Sequence, residues 1–176
     1  MRKVFIILVI ILVLSLSSCI ELTEDNLKIQ LNPGVDTIEV DDQFIDAGAN
    51  ASFGFRTLHP VVIENDVDTS LVGIYTIIYQ ITYLEYEKTI TRIVTVIDET
   101  PPNINLNPGV DTIVVGQAWI DAGVTAIDNS NLEVIITVTS YVIIEQPGEY
   151  QVIYQATDES GNSATIIRYV NIIELT

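Results

Sequence analysis

An all-β chain of two tandem sandwich modules behind an N-terminal targeting segment is what the sequence predicts, on three observations. The stretch Leu31–Val40 returns 75 residues later as Leu106–Val115 with a single change, Glu39 to Val114. Residues alternate with period two along Tyr75–Tyr83 and again along Tyr150–Ala156, the pattern of a half-buried strand. Beyond the first twenty residues, no stretch keeps helical periodicity for three turns.

The chain has 176 residues, 48% hydrophobic and 18% charged, with 24 acids against 7 bases and a formal net charge of −17. That length holds one ordinary domain or two small ones. The charge repels polyphosphate and anionic lipid heads, so nucleic acid is excluded as a partner and a monomer is expected. A single Cys excludes a disulfide framework and multi-cysteine zinc sites, and a single His leaves only one candidate imidazole base.

The targeting segment covers residues 1–18. Arg2 and Lys3 precede an apolar run from Val4 to Leu14, too short for the ~20 residues a helix needs to cross hydrocarbon. Leu16-Ser17-Ser18-Cys19 resembles the lipobox of bacterial lipoproteins. That resemblance implies cleavage before Cys19 and a diacylglyceryl group on its sulfur, so the expected partner there is the membrane and the expected location its extracytoplasmic face. Loss of Arg2 and Lys3, with no acid ahead of Glu21, takes the net charge from −17 to −19. Residues 19–27 are then a lipidated tether.

The first module is assigned to residues 28–97 and the second to 103–176. Phe44-Ile45-Asp46-Ala47-Gly48 answers Trp119-Ile120-Asp121-Ala122-Gly123, and Tyr79-Gln80 answers Tyr154-Gln155. Near the ends Arg92 answers Arg168 after a one-residue gap. Residues 98–102, Asp-Glu-Thr-Pro-Pro, form a short, stiff linker, because adjacent prolines fix φ and remove two amide donors. Strand-like segments rich in Ile, Val, Thr and Tyr are separated by Asn32-Pro33-Gly34, Gln146-Pro147-Gly148 and Ser160-Gly161-Asn162, which read as turns. Short strands at regular spacing in units of about 70 residues point to small β-sandwiches.

Leu-Asn-Pro-Gly, then aromatic-Ile-Asp-Ala-Gly, then Pro-Gly-x-Tyr-x-Val-x-Tyr, then Thr-Asp-x-Ser-Gly-Asn-x-Ala-Thr resembles the bacterial surface immunoglobulin-like repeat, a module also found in pesticidal crystal proteins. The resemblance covers nearly all of residues 103–173. It is weaker in residues 28–97, where Thr82–Glu87 and Ala51–Gly54 depart from the pattern. It implies two tandem immunoglobulin-like sandwiches exposed at the surface, and no catalytic activity.

Several residues invite a site reading. Phe44 and Trp119 hold equivalent places and are expected to pack a core. His59, without a counterpart or a neighbouring ligand, is expected in an exposed loop. Arg168, the counterpart of Arg92, shares parity with Val170 and Ile172, and a guanidinium turned to the core needs a carboxylate or several carbonyls; the expectation is an ion pair with the recurring Asp46 or Asp121, or a bulge that turns the arginine outward. No cofactor is expected. Calcium is the one cation worth weighing, since Asp98, Asp121, Asp128 and Asp158 supply hard oxygens, with Glu99, Asn129 and Asn162 nearby; no spacing matches a defined calcium loop.

The leading functional expectation is therefore a non-enzymatic, lipid-anchored surface protein whose paired modules act in adhesion, binding or spacing, toward an unidentified protein or glycan. A carbohydrate-binding accessory lipoprotein is the alternative, with Phe53, Phe55, Tyr83 and Tyr86 as stacking candidates. A hydrolase is disfavoured because nothing in the sequence places two catalytic groups together.

Overall fold

The computed structural model describes residues 23–175. The targeting segment and Cys19 lie outside the described residues. A single 3-10 turn at Glu24–Asn26 precedes the strands, and among the described residues no helix is long and apolar enough to cross a membrane.

The first module contains β1 (Leu27–Leu31), β2 (Thr37–Glu39), β3 (Ala49–Phe53), β4 (Arg56–Leu58), β5 (Val61–Asn65), β6 (Gly73–Tyr83) and β7 (Tyr86–Ile97). One sheet runs β1-β3-β4 and the other β2-β7-β6-β5. The second module contains β8 (Asn103–Leu106), β9 (Thr112–Val114), β10 (Val124–Ile127), β11 (Ile135–Ser140), β12 (Gly148–Thr157) and β13 (Ser163–Ile173), in sheets β10-β8 and β11-β12-β13-β9. Every strand of the second module has its counterpart in the first. Only β4 is unmatched.

The alternation read from the sequence is the alternation of burial. On β6, Ile77, Tyr79 and Ile81 point inward, and on β12 Val152, Tyr154 and Ala156 do so. Ile77 and Tyr79 cluster with Val94 of β7, Ile81 with Leu27, Ala51 and Phe53, and Val152 and Tyr154 with Val170 and Ile172 of β13. Each fully buried aliphatic side chain of this size contributes about 1.5–3 kcal/mol. Trp119 and Phe44 pack against their module's core cluster, and the Trp119 indole N–H donates to the Val110 carbonyl at 3.1 Å.

Two boundaries are sharper than the sequence suggested. Leu27, assigned to the tether, begins β1 and is fully buried. The turn ahead of it also belongs to the module, since the Gly54 N–H donates to the Asn26 carbonyl at 3.1 Å. At the other boundary Pro102 is buried, at the position in the second repeat that Leu27 holds in the first. The linker is gripped as well as stiff. The Glu39 carboxylate, at the end of β2, accepts the Glu99 N–H at 3.0 Å and the Thr100 hydroxyl at 2.8 Å. Desolvation opposes ionisation of Glu39, but the hydrogen bonds from Thr100, Glu99 and Asn129 outweigh it and hold the carboxyl below its ordinary value.

Candidate functional site

Two kinds of charged cluster stand out, one present in both modules and one where the linker meets the second module. The shared cluster surrounds a buried arginine. Arg92 is 1% exposed and Arg168 2%, so the inward parity is realised without a bulge. Arg92 Nη1 donates to Asp36 at 2.5 Å, and Nη2 donates to the carbonyls of Asn32 at 2.7 Å and Gly48 at 3.0 Å. Arg168 repeats this with Asp111 at 2.9 Å, Asn107 at 2.7 Å and Gly123 at 2.9 Å.

The recurring Asp46 and Asp121 stand on the other side of each guanidinium, with Oδ1 3.4 Å and 3.6 Å from the arginine Nε. Neither Nε is hydrogen-bonded. Asp46 and Asp121 instead accept the hydroxyls of Tyr79 and Tyr154 and the backbone N–H groups of Gly48 and Gly123. The hydrogen-bonded partners of the arginines are thus Asp36 and Asp111, which the sequence reading did not single out. They were present in the duplicated stretch and could have been found as its other repeated acid. Burial, and then the hydrogen bond to the aspartate, push both tyrosine phenols above their ordinary value.

This cluster accounts for most of the duplicated motif. Asn32 and Asn107 supply a carbonyl to the arginine and an amide to the carbonyl of Ala47 or Ala122, at 2.8 and 2.9 Å. A Cβ on Gly34 or Gly109 would lie 2.8 Å from the Cβ of Ala47 or Ala122, and 3.2 or 3.1 Å from the arginine Nη1. Gly48 and Gly123 have φ of 75° and 70°, which lets their carbonyls turn back to the guanidinium. Apart from the two Nε atoms, the polar groups of the cluster are committed to packing one buried charge. The arrangement is structural.

The second cluster lies where the linker meets the second module. Asp98, Asp128 and Asp158 offer carboxylate oxygens all within 4.8 Å of one another. Asp98 and Asp158 are 7% and 4% exposed. Asp98 accepts the Thr100 N–H at 3.2 Å and the Ser160 hydroxyl at 3.0 Å. Asp158 accepts the backbone and side-chain N–H groups of Asn162 at 2.8 and 3.0 Å. Asp128 Oδ2 accepts the Ser130 N–H at 2.9 Å and its hydroxyl at 2.5 Å, whereas Asp128 Oδ1 and Asn129 Oδ1 are buried and take no hydrogen bond. Three of the four aspartates weighed for calcium therefore meet. Asp121 does not join them, being held against Tyr154.

The aromatic candidates do not form an exposed platform. Phe53 is 5% exposed, with its ring 5.0 Å from that of Tyr83 and 6.0 Å from that of Tyr86. Arg56 lies over the Tyr83 ring at 5.3 Å. Phe55, at the β3–β4 turn, is the fully exposed member of the group. His59 is exposed.

Two sandwiches in tandem, each pinned by the same buried arginine, define a duplicated immunoglobulin-like chain. The chain belongs to the family described as bacterial surface protein, Ig-like domain, whose model matches residues 30–96 and 108–172; it is a bacterial surface protein of that type. No curated protein matches it. Among solved structures it is similar to the lipoprotein BT2262 from Bacteroides thetaiotaomicron, with 14% identity, 83% of this chain and 80% of that one covered, and a TM-score of 0.37. It is also similar to the protocadherin gammaB7 EC3-6 cis-dimer structure, with 13% identity over 85% of this chain and 51% of that one, and a TM-score of 0.35.

Proposed function

We propose that the protein is a non-enzymatic lipoprotein, held at the extracytoplasmic face of the membrane through Cys19, whose paired modules serve adhesion, binding or spacing near that surface. The observation that carries the reading is the order of the chain. A lipobox-like Leu16-Ser17-Ser18-Cys19 is followed almost at once by two surface Ig-like modules. With the fold beginning by Thr23, the tether from Cys19 is only a few residues, and at ~3.3–3.6 Å each it keeps the first module close to the bilayer. Two acyl chains anchor stably where one is marginal, and the acidic body stands off anionic headgroups. The non-enzymatic reading is supported by the arginine clusters, where the buried charges, tyrosines and carbonyls are consumed in packing.

Radiolabelled fatty acid supplied to a bacterial host expressing the full chain tests the anchor. The parent should be labelled and sediment with membranes, and Cys19→Ser should lose the label and remain an uncleaved precursor. Normal cleavage and release of Cys19→Ser would return the protein to ordinary secretion. Crosslinking of membrane-bound parent in intact cells then tests the contact role: captured envelope proteins or glycans support binding, and a bare product leaves spacing.

A further inference from the structure

We infer that Asp98, Asp128 and Asp158 form a site for a hard divalent cation of calcium size, joining the linker to two loops of the second module. The first reason is charge. From Asp98 to the end of the chain Arg168 is the only basic residue, and it is already paired with Asp111 and Asp121. Among the described residues every ion pair involves Arg92 or Arg168. Three clustered carboxylates, two of them more than nine-tenths buried, thus have only neutral donors around them. Buried charge without a counter-charge is costly, and a cation supplies what the chain does not.

The second reason is an oxygen without a donor. Asp128 uses Oδ2 for both of its hydrogen bonds and leaves Oδ1 enclosed and unpartnered, and the adjacent Asn129 Oδ1 is in the same condition. Carboxylate and amide carbonyl oxygens are the ligands calcium takes, at about 2.3–2.6 Å. Oxygens ~2.4 Å from one centre lie no more than ~4.8 Å apart, and the three carboxylates meet that limit.

The third reason is the internal comparison that duplication provides. At the same offset of 75, Asp128 corresponds to Phe53 and Asp158 to Tyr83. In the first module those two side chains make a direct ring contact at 5.0 Å. The fold accepts an apolar contact at this place, so the sandwich itself does not require the two acids. Asp98 corresponds to Thr23, so the third carboxylate too is confined to the second repeat.

Calorimetric titration of the EDTA-stripped full chain in detergent, with CaCl2 and separately with MgCl2, tests the site, alongside thermal melting. Binding at ~1 mM or tighter is expected for calcium, in the range of extracellular modules, with magnesium weaker because it demands tight octahedral geometry. At a tenfold excess over Kd the folded-to-unfolded ratio should rise about 11-fold. Asp98→Asn, Asp128→Asn and Asp158→Asn should each weaken calcium at least tenfold, with Glu133→Gln on the exposed surface as the unchanged control. The pair Asp128→Phe with Asp158→Tyr should lose the calcium response and keep its β-type circular dichroism. Three single variants in three segments keep the test open if one fails to fold. Neither heat nor a melting shift at 10 mM calcium in the parent would overturn the site, as would unchanged affinity in the folded variants.

Discussion

At the scale of single residues, the buried arginine decides more of the sequence than any other side chain. Removing one partner of a buried ion pair strands the other charge, which typically costs 3–5 kcal/mol. Asp111 is the hydrogen-bonded partner of Arg168 and is itself about a third exposed, so Asp111→Ala should cost about 3 kcal/mol. Asp121→Ala should also cost stability, chiefly through the lost acceptor for Tyr154 and the Gly123 N–H. Urea unfolding of both variants checks this, and an Asp111→Ala midpoint equal to that of the parent refutes it. Parity pointed Arg168 inward, with an outward bulge as the alternative that its burial removes. It could not choose between two repeated acids, because that choice depends on β9 lying parallel to β13, with the Asn171 N–H on the Asp111 carbonyl at 2.7 Å. The tyrosines add a pH dependence. Their folded-state phenol values are raised above the ordinary 10.0, so their contribution is complete below pH 10 and is lost as pH rises through the folded value. Spectrophotometric titration should show late-ionising phenols that Tyr79→Phe and Tyr154→Phe each reduce, whereas ionisation of all eight tyrosines in one step near pH 10 would contradict it.

At the scale of elements, the long strands and their turns were legible, because period-two patterns and Pro-Gly signals report local geometry directly. The short strand β4 was not. Its three residues, Arg56–Leu58, carry no alternation long enough to read, and it exists because Gly54 and Phe55 turn β3 back on itself with Gly54 at a φ of 57°. Divergence of Thr82–Glu87 was visible, but its meaning was not: Tyr83 pairs directly with Tyr86 across a two-residue turn in which Leu84 has a φ of 55°. Phe53 read as a surface aromatic for the same reason, since its burial depends on Tyr83 and Tyr86 closing over it. The close approach in the Asn-Pro-Gly turn makes a sharper test. Gly109→Ala should cost about 1–3 kcal/mol by overpacking against Ala122. Ala122→Gly should recover part of that in the double variant, and strictly additive effects in the cycle would show that the two positions do not touch.

For the whole molecule, duplication was the most informative thing in the sequence and also the source of its main ambiguity. It gave away two modules and their class. Similarity between copies, however, says only where a residue is shared, so it drew attention to Asp46 and Asp121. The acids at the joint belong to one copy alone. Among 24 acids their proximity could not be told from chance until the loop after β10, the loop after β12 and the linker were brought together. Pro102 shows the same limit: adjacent prolines announced stiffness, but not that the second of them is the first core residue of the next module.

The parallel pairing of β2 with β7 and of β9 with β13 has a mechanical consequence. A chain held at its N-terminal end and pulled from its C-terminal end draws these two strands in opposite directions along their own axes. The bridging hydrogen bonds, Thr95 to Asp36 at 2.8 Å and Val40 to Ile97 at 2.7 Å in one module, Asn171 to Asp111 at 2.7 Å and Val115 to Ile173 at 2.9 Å in the other, then share the load in shear instead of peeling one after another. Asp36 and Asp111 stand in that seam and are tied through their arginines to the loops opposite. Each module should therefore resist traction between its two ends far better than traction applied across a hairpin such as β6–β7. Single-molecule pulling through the termini and through cysteines placed at Gly73 and Ile97 compares the two directions, and equal rupture forces would remove the distinction. Pulled from its two ends, a chain with this strand order carries the load through both modules in series.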